Sequence, residues 1–410
     1  MKPMGPIPPW FASEDGMLLI GGCGAASLVD EAGDTPLFVY DMEIIEAQVR
    51  ELRETMPSDL SIHYAIKANP YAPLLQRMVG LVDGFDIASG GELDMALNAG
   101  QSPEHISFAG PGKRDDELAA AIAAAVTLNL ESEGEAARAL DIAGRLGRTP
   151  RLAIRVNPDF DLRGSGMRMG GGAKPFGVDA ERAPALARIV IDAGADWQGW
   201  HIFAGSQALD PHALIETQAA TVALAARLSG EVGTSPPLVN LGGGFGIPYF
   251  PGDARLDVRP IGAALAKILD DRAPILRDTK FALELGRWLV GEAGVYLTRI
   301  IDVKESQGER FAITDGGMHH QLAASGNFGT VVRRNYPLAI ANRFDEAKAE
   351  NPISIVGCLC TPLDRLGDKI LLPPVRTGDL IAVFLAGAYG ATASPAAFLG
   401  HPAPKEMVVN

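Results

Sequence analysis

Cysteine is scarce. Cys23, Cys358 and Cys360 are the only three in 410 residues. An odd, sparse set builds no disulfide framework, so a reducing compartment is expected. Long apolar runs are also missing. No hydrophobic stretch approaches the ~20 residues needed to cross a bilayer, and Ala-rich Leu118–Val126 is far too short. The opening Met1–Phe11 is rich in Pro and lacks the apolar core of a secretory signal. Basic residues are outnumbered, 36 Lys and Arg against 50 Asp and Glu, giving a net charge of −14. Nucleic-acid binding needs a clustered cationic excess, so that class is set aside. The expectation is a cytoplasmic chain with neither nucleic acid nor membrane as partner.

What is present reads as an ordinary globular protein, 47% hydrophobic and 21% charged, long enough for one large or two medium domains. Short β-branched runs alternate with helical patterns, the signature of βα units and a parallel sheet. The predicted strands are Ser61–Ala65, Gly84–Ile87, Ile106–Phe108, Val126–Leu130, Leu152–Val156, Trp197–Phe203, Leu238–Leu241 and Phe281–Glu284. Helical stretches fall at Gly90–Ala99, Asp115–Ala124, Glu133–Leu146, Glu181–Ala193 and His212–Leu228. Eight units over roughly 225 residues approach the ~250 typical of a (β/α)8 TIM barrel. A doubly wound sheet is the competing fold. After Leu285 the chain becomes strand-like and turn-rich, with Ala293–Val303, Arg310–Thr314, Ile353–Val356 and Asp379–Phe384. The predicted fold class is therefore α/β, a barrel over residues 43–285. Residues 1–42 plus 286–410 form a second, β-rich domain, with Leu37–Tyr40 contributing a strand.

Reactive groups of a TIM barrel gather at the C-terminal ends of its strands. Lys67 follows the first strand, Asp86 lies in the second and Arg155 ends the fifth. His201 sits in the sixth strand, followed by Gly205-Ser206-Gln207. Gly242-Gly243-Gly244-Phe245-Gly246 follows the seventh, and Glu284, Gly286 and Arg287 close the eighth. Each has a plain alternative: a surface lysine, a core histidine, a glycine turn, a simple Glu–Arg pair. Lys67 is the most telling, because an ammonium beside a buried strand is costly without a role. A glycine loop after strand seven fits the phosphate site of such barrels.

Tyr64-Ala65-Ile66-Lys67-Ala68-Asn69, Gly90-Gly91-Glu92-Leu93, His201…Gly205-Ser206-Gln207, Gly242–Gly246 and Glu284-Leu285-Gly286-Arg287, in this order, resemble the alanine-racemase-fold decarboxylases that use pyridoxal 5'-phosphate (PLP). That group includes the diaminopimelate and ornithine decarboxylases. The resemblance spans roughly Leu37 to Tyr389. It implies a homodimer with shared active sites, and a Schiff base to Lys67. His201 would stack on the cofactor ring and Glu284 would pair with its nitrogen. Ser206, Gly243, Gly244, Gly286, Arg287 and Tyr389 would hold the phosphate, with Asp86 and Arg155 also at the cofactor. Cys360 would reach in from the partner as proton donor, although a buried small apolar residue is the commoner fate of a free cysteine.

A carboxylate at the ring nitrogen keeps it protonated and a strong electron sink. Racemases of this fold are expected to place an arginine there, so Glu284 favours decarboxylation. A racemase using Tyr389, or an inactive regulatory homologue, are the rivals. In the free diamino-acid enzymes Glu or Asp follows the cysteine; here it is Thr361, which cannot pair with a distal ammonium. Cys360-Thr361-Pro362-Leu363-Asp364 resembles instead the subgroup acting on glutamyl groups tethered to an acyl carrier protein, and the exosortase-associated enzymes of exopolysaccharide biosynthesis. The expected substrate is a carrier-linked aminoacyl group contacting Arg287, Thr361 and Asp364; a free amino acid such as diaminopimelate is the alternative. Arg333, Arg334 and Arg343 are candidates for docking the acidic carrier. One departure concerns His201, since the free-amino-acid enzymes place Gly-Ser two residues closer to their histidine. The pair His319-His320 alone is poor evidence for a metal, and none is assigned.

Overall fold

The computed structural model describes residues 2–162, 164, 166–168, 170–326, 334–347 and 351–410. The chain divides into two compact units, one of Val49–Gly246 with Arg255–Gly286, the other of Met1–Gln48, Ile247–Ala254 and Arg287–Asn410. The short segment Ile247–Ala254 thus groups with the β-rich unit, where the sequence reading left it in the barrel.

The first unit is the expected barrel. Its strands are β1 Ser61–Ala65, β2 Gly84–Ile87, β3 Ile106–Phe108, β4 Thr127–Leu130, β5 Arg151–Asn157, β6 Asp196–Ile202, β7 Leu238–Asn240 and β8 Lys280–Leu285. All pair in parallel in chain order, and β8 pairs with β1 to close the ring. Intervening helices begin where the sequence supplies caps. The Ser89 and Ser132 hydroxyls accept from Glu92 and Glu135 backbone N–H groups, and each Glu bonds back to the chain before its helix. Left-handed Gly147 and Gly233 end the helices Glu133–Leu146 and Pro211–Val232.

The second unit holds an eight-stranded sheet. Its long strand Gly294–Ser306 pairs antiparallel with Leu37–Asp41, Leu380–Phe384 and Glu309–Thr314. Ile353–Val356 lies parallel to Glu309–Thr314 and antiparallel to Arg365–Ile370. Strands Leu338–Ile340, Arg365–Ile370 and Lys405–Val409 were not anticipated. No described helix is long and apolar enough to cross a membrane.

Within β6 the register against β5 shifts between Trp197 and Gly199. Gly199 takes φ +107°, and a Cβ there would lie 1.9 Å from the Leu238 carbonyl oxygen. Strand β6 carries part of the candidate site, so the bulge sets which residues face the interior. Gly199→Ala is expected to lower stability by about 3 kcal/mol, combining backbone strain with overpacking. Urea unfolding checks this; an unchanged midpoint would show that the bulge relaxes freely.

Candidate active site

Strand alternation fixes what each barrel strand offers the interior. In β6, the Trp200 indole donates to Ser229 Oγ at 2.9 Å on the helix Pro211–Val232, so Trp200 faces outward. His201 faces the other way, and its Nε2 lies 2.9 Å from Glu284 Oε2 on β8. Lys67 stands in the turn Ile66–Ala68 just after β1, with Nζ 3.6 Å from Glu284 Oε1. The strand before it is buried, but the Lys67 side chain keeps 44% of its surface exposed. Its ammonium is therefore open at the rim rather than enclosed, as the sequence reading supposed.

Glu284 is buried, which by itself would raise its pKa. The charge of Lys67, the hydrogen bond and charge of His201, and the charge of Arg155 together hold it well below the ordinary carboxylate range. The shift is downward. The pairing therefore supports the fold fully above the unfolded carboxylate pKa and is lost only as pH falls through the lowered folded value.

A second buried network lies along the same strands. Arg155 Nη1 donates to Glu131 Oε1 at 2.8 Å, and Glu131 also accepts from the Gly110 and Gly177 N–H groups. Lys113, whose side chain is 1% exposed, reaches Glu135 at 2.7 Å and the Gly110 and Asn129 carbonyls. Asp86 pairs with His63 on β1 at 3.4 Å. Burial opposes protonation of His63, but the charge of Asp86 and the bond to it raise its pKa.

The glycine run after β7 packs tightly against the end of β8. Gly242 O accepts from Glu284 N–H at 2.8 Å, and a Cβ at Gly243 would sit 1.9 Å from the Glu284 carbonyl oxygen. Gly244, at φ +93°, leaves no space beside Leu162 and Gly205. Gly286 lies close against Ala68, next to Lys67. Ser206 is half-buried on the Gly205–Ser206 strand. An open ammonium, a buried carboxylate and a cradle that only glycine can form fit a phosphorylated pyridine aldehyde.

One aromatic was missed by the sequence reading. The Phe203 ring centroid lies 6.0 Å from Lys67 Nζ. His201, expected to offer an open ring face, is only 2% exposed and is engaged with Glu284. The two extra residues noted before Gly205-Ser206 carry the chain from His201 to Phe203, one residue past the end of β6.

In the β-rich unit, Arg287 Nη1 donates to Tyr249 Oη at 3.0 Å, and its guanidinium lies 4.8 Å from the Tyr389 ring centroid. Tyr389 takes φ +54°. Cys360 is exposed and Thr361 half-buried, with Thr361 Oγ1 accepting from Leu363 N–H at 3.4 Å. Two expectations need correction. Asp364 is 2% exposed and its carboxylate is turned onto the Met318 and Leu359 N–H groups, so it is a backbone clamp and not a group offered to substrate. Arg343 is tied to Asp379 at 2.5 Å and to Glu346, and is not free to dock a carrier. Arg334 is exposed with its guanidinium over the Phe250 ring; Arg333 lies outside the described residues.

Residues 42–291 match the family model for the pyridoxal-binding domain of pyridoxal-dependent decarboxylases. Among curated proteins, the L-glutamyl-[BtrI acyl-carrier protein] decarboxylase of Niallia circulans is 38% identical over 92% of this chain and 89% of its own. Diaminopimelate decarboxylase of Methanothermobacter thermautotrophicus is 32% identical over 97% and 91%. The solved diaminopimelate decarboxylase of M. jannaschii superposes with a TM-score of 0.89 at 26% identity, covering 98% of this chain and 92% of that one. With the buried Glu284 facing Lys67 and these likenesses spanning nearly the whole length, the chain belongs to the PLP-dependent decarboxylases of the alanine-racemase fold.

Proposed function

We propose that this enzyme decarboxylates an aminoacyl group tethered to an acyl carrier protein. The observation that carries the decarboxylase chemistry is the buried Glu284 facing Lys67, with neighbouring charges that hold its carboxyl below the ordinary range. Bound PLP supplies an electron sink for the pair left behind when CO2 departs. Lys67 Nζ is the attachment point, open at the rim and held by the Glu284 carboxylate. Glu284 stays ionised because His201 and Lys67 hold it, and so offers a fixed negative charge to a protonated ring nitrogen. Phe203, not His201, offers the aromatic face beside Lys67, and His201 is a positioning residue for Glu284.

Backbone N–H groups of Gly243 and Gly244, with Ser206, Gly286, Arg287 and Tyr389, are assigned to the phosphate. Asp86 and Arg155 complete the charge pattern of the barrel interior. Cys360 is assigned the proton returned to the carbon that lost CO2. In a homodimer this would be the partner subunit's Cys360, and the exposure of Cys360 and of Leu363 beside it supports that reading.

The carrier-linked substrate rests on Thr361. Its neutral hydroxyl offers no ion pair to a distal ammonium, and a tethered glutamyl group presents none. The relative named for a carrier-linked glutamyl substrate supports the same choice.

Lys67→Ala is expected to lose the visible absorbance band that borohydride bleaches in the wild type. Its CO2 release should fall by roughly 10³-fold or more. A retained, bleachable band in the variant would remove Lys67 from the attachment role.

Phe203→Ala should weaken PLP retention about five- to tenfold, the equivalent of one aromatic stacking contact. Dialysis followed by cofactor absorbance measures it. If His201→Asn releases PLP more than Phe203→Ala does, the roles of the two rings are exchanged.

CO2 release should be at least about 100-fold more efficient from a glutamyl-carrier thioester than from free glutamate or diaminopimelate. Thr361→Glu should raise activity on diaminopimelate about tenfold, the worth of one modest ion pair. Equal turnover of free diaminopimelate by the wild type would overturn the tethered substrate.

A further inference from the structure

The β-rich unit contains a cluster that the decarboxylase chemistry leaves unused. His319 is fully buried, 0% exposed, and neither of its ring nitrogens has a hydrogen-bond partner among the described residues. A buried imidazole with both nitrogens unsatisfied costs about 1–3 kcal/mol, so its retention needs a reason. A ligand nitrogen of His319, the Cys358 thiol and a nitrogen of His401 all lie within 4.8 Å of one another. Cys358 Sγ stands 3.8 Å from the His401 ring nitrogens.

The fold builds this cluster deliberately. Strands Glu309–Thr314 and Ile353–Val356 run parallel, with Ile313 paired to Val356, so the chain leaves both at the same end of the sheet. His319 follows the first strand and Cys358 the second. The Asp364 carboxylate ties the two exits together, accepting from Met318 N–H at 2.6 Å and Leu359 N–H at 2.9 Å. Gly317 and Gly357 permit that approach, because a Cβ at either would fall 2.3 or 2.2 Å from an Asp364 carboxylate oxygen.

The third arm is fixed by His320. Its Nδ1 meets Tyr296 Oη at 3.1 Å and its Nε2 meets the Pro402 carbonyl at 3.0 Å, so both nitrogens are engaged. His320 is thereby no ligand itself; it anchors the residue after His401. The sequence reading assigned no metal to the His319-His320 pair because adjacent histidines alone are poor evidence; Cys358 and His401 lie about 40 and 80 positions further along the chain.

We propose that His319, Cys358 and His401 bind a divalent transition ion of the zinc class. Two imidazoles and one thiolate suit such an ion, whereas calcium and magnesium take oxygen ligands. Tetrahedral zinc, with bonds of about 2.0–2.3 Å, holds its ligand atoms about 3.5 Å apart. Closing the cluster therefore asks for a shift of about 1 Å, and the half-buried Cys358 and His401 side chains can supply it. Binding replaces the S–H bond with a metal–sulfur bond and releases the proton to solvent. The ion would stiffen the base of the Cys358–Thr361 loop, two residues from Cys360.

The test uses the full-length holoenzyme, cleared of metal by chelation and dialysis and titrated with Co²⁺ alone. The expected result is one Co²⁺ per chain, a near-ultraviolet thiolate-to-cobalt charge-transfer band, and displacement by equimolar Zn²⁺. Cys358→Ser should abolish the charge-transfer band and weaken Zn²⁺ retention at least about tenfold. Cys360→Ser should keep the band. Circular dichroism and bound-PLP absorbance of each variant report whether it is folded, and His319→Asn gives a second ligand deletion. The proposal is overturned if the wild type shows no saturable Co²⁺ binding, or if folded Cys358→Ser and His319→Asn bind as the wild type does. It is equally overturned if the band follows Cys360 instead of Cys358.

Discussion

The barrel interior is arranged around one buried carboxylate. An ionised group removed from water costs several kcal/mol unless charge and hydrogen bonds replace its hydration. Glu284 gets both, from Lys67 at 3.6 Å and His201 at 2.9 Å. This requirement explains why a histidine on β6 and a lysine after β1 converge on one residue of β8. Under the proposed function the same charge would face the ring nitrogen of bound PLP and would favour its protonated form, the stronger electron sink.

Much of this was legible in the sequence because local signals and global fold agree. Helices Asp115–Ala124 and Glu133–Leu146 were read to the residue, since acidic first turns, Ser132 and Gly147 punctuate them. Barrel strands were read within a residue or so at each end, and the rim followed from barrel topology. What stayed hidden depends on how consecutive strands pair. His63, Lys113, Glu131 and Glu135 acquire partners only when each barrel strand comes to lie beside the next. Phe203 carried a usable signal, being an aromatic two residues past His201 and just beyond the end of β6. Family likeness drew attention to the histidine, while the extra two residues already moved an aromatic to the rim.

Asp364 shows the opposite error. Its place beside Cys360 and Thr361 suggested a group presented to substrate, and a carboxylate in a loop is normally solvated. Here two backbone N–H groups claim it. Nothing local announces this, because Met318 is 46 residues away in sequence. The informative residues were Gly317 and Gly357, each leaving space for the same carboxylate. Glycine in such a pair reports a close approach, not flexibility.

That clamp accounts for the different settings of Cys358 and Cys360. The Leu359 N–H between them is fixed to Asp364, and Thr361 N–H folds back onto the Leu359 carbonyl at 2.8 Å. The chain is thereby pinned and reversed within four residues. One sulfur turns toward His401 inside the unit, and the other is left exposed. In a protein with so few cysteines, placing two of them on either side of a pinned backbone gives the two sulfurs separate surroundings, as the ion site proposed for Cys358 and the proton-donor role proposed for Cys360 each require.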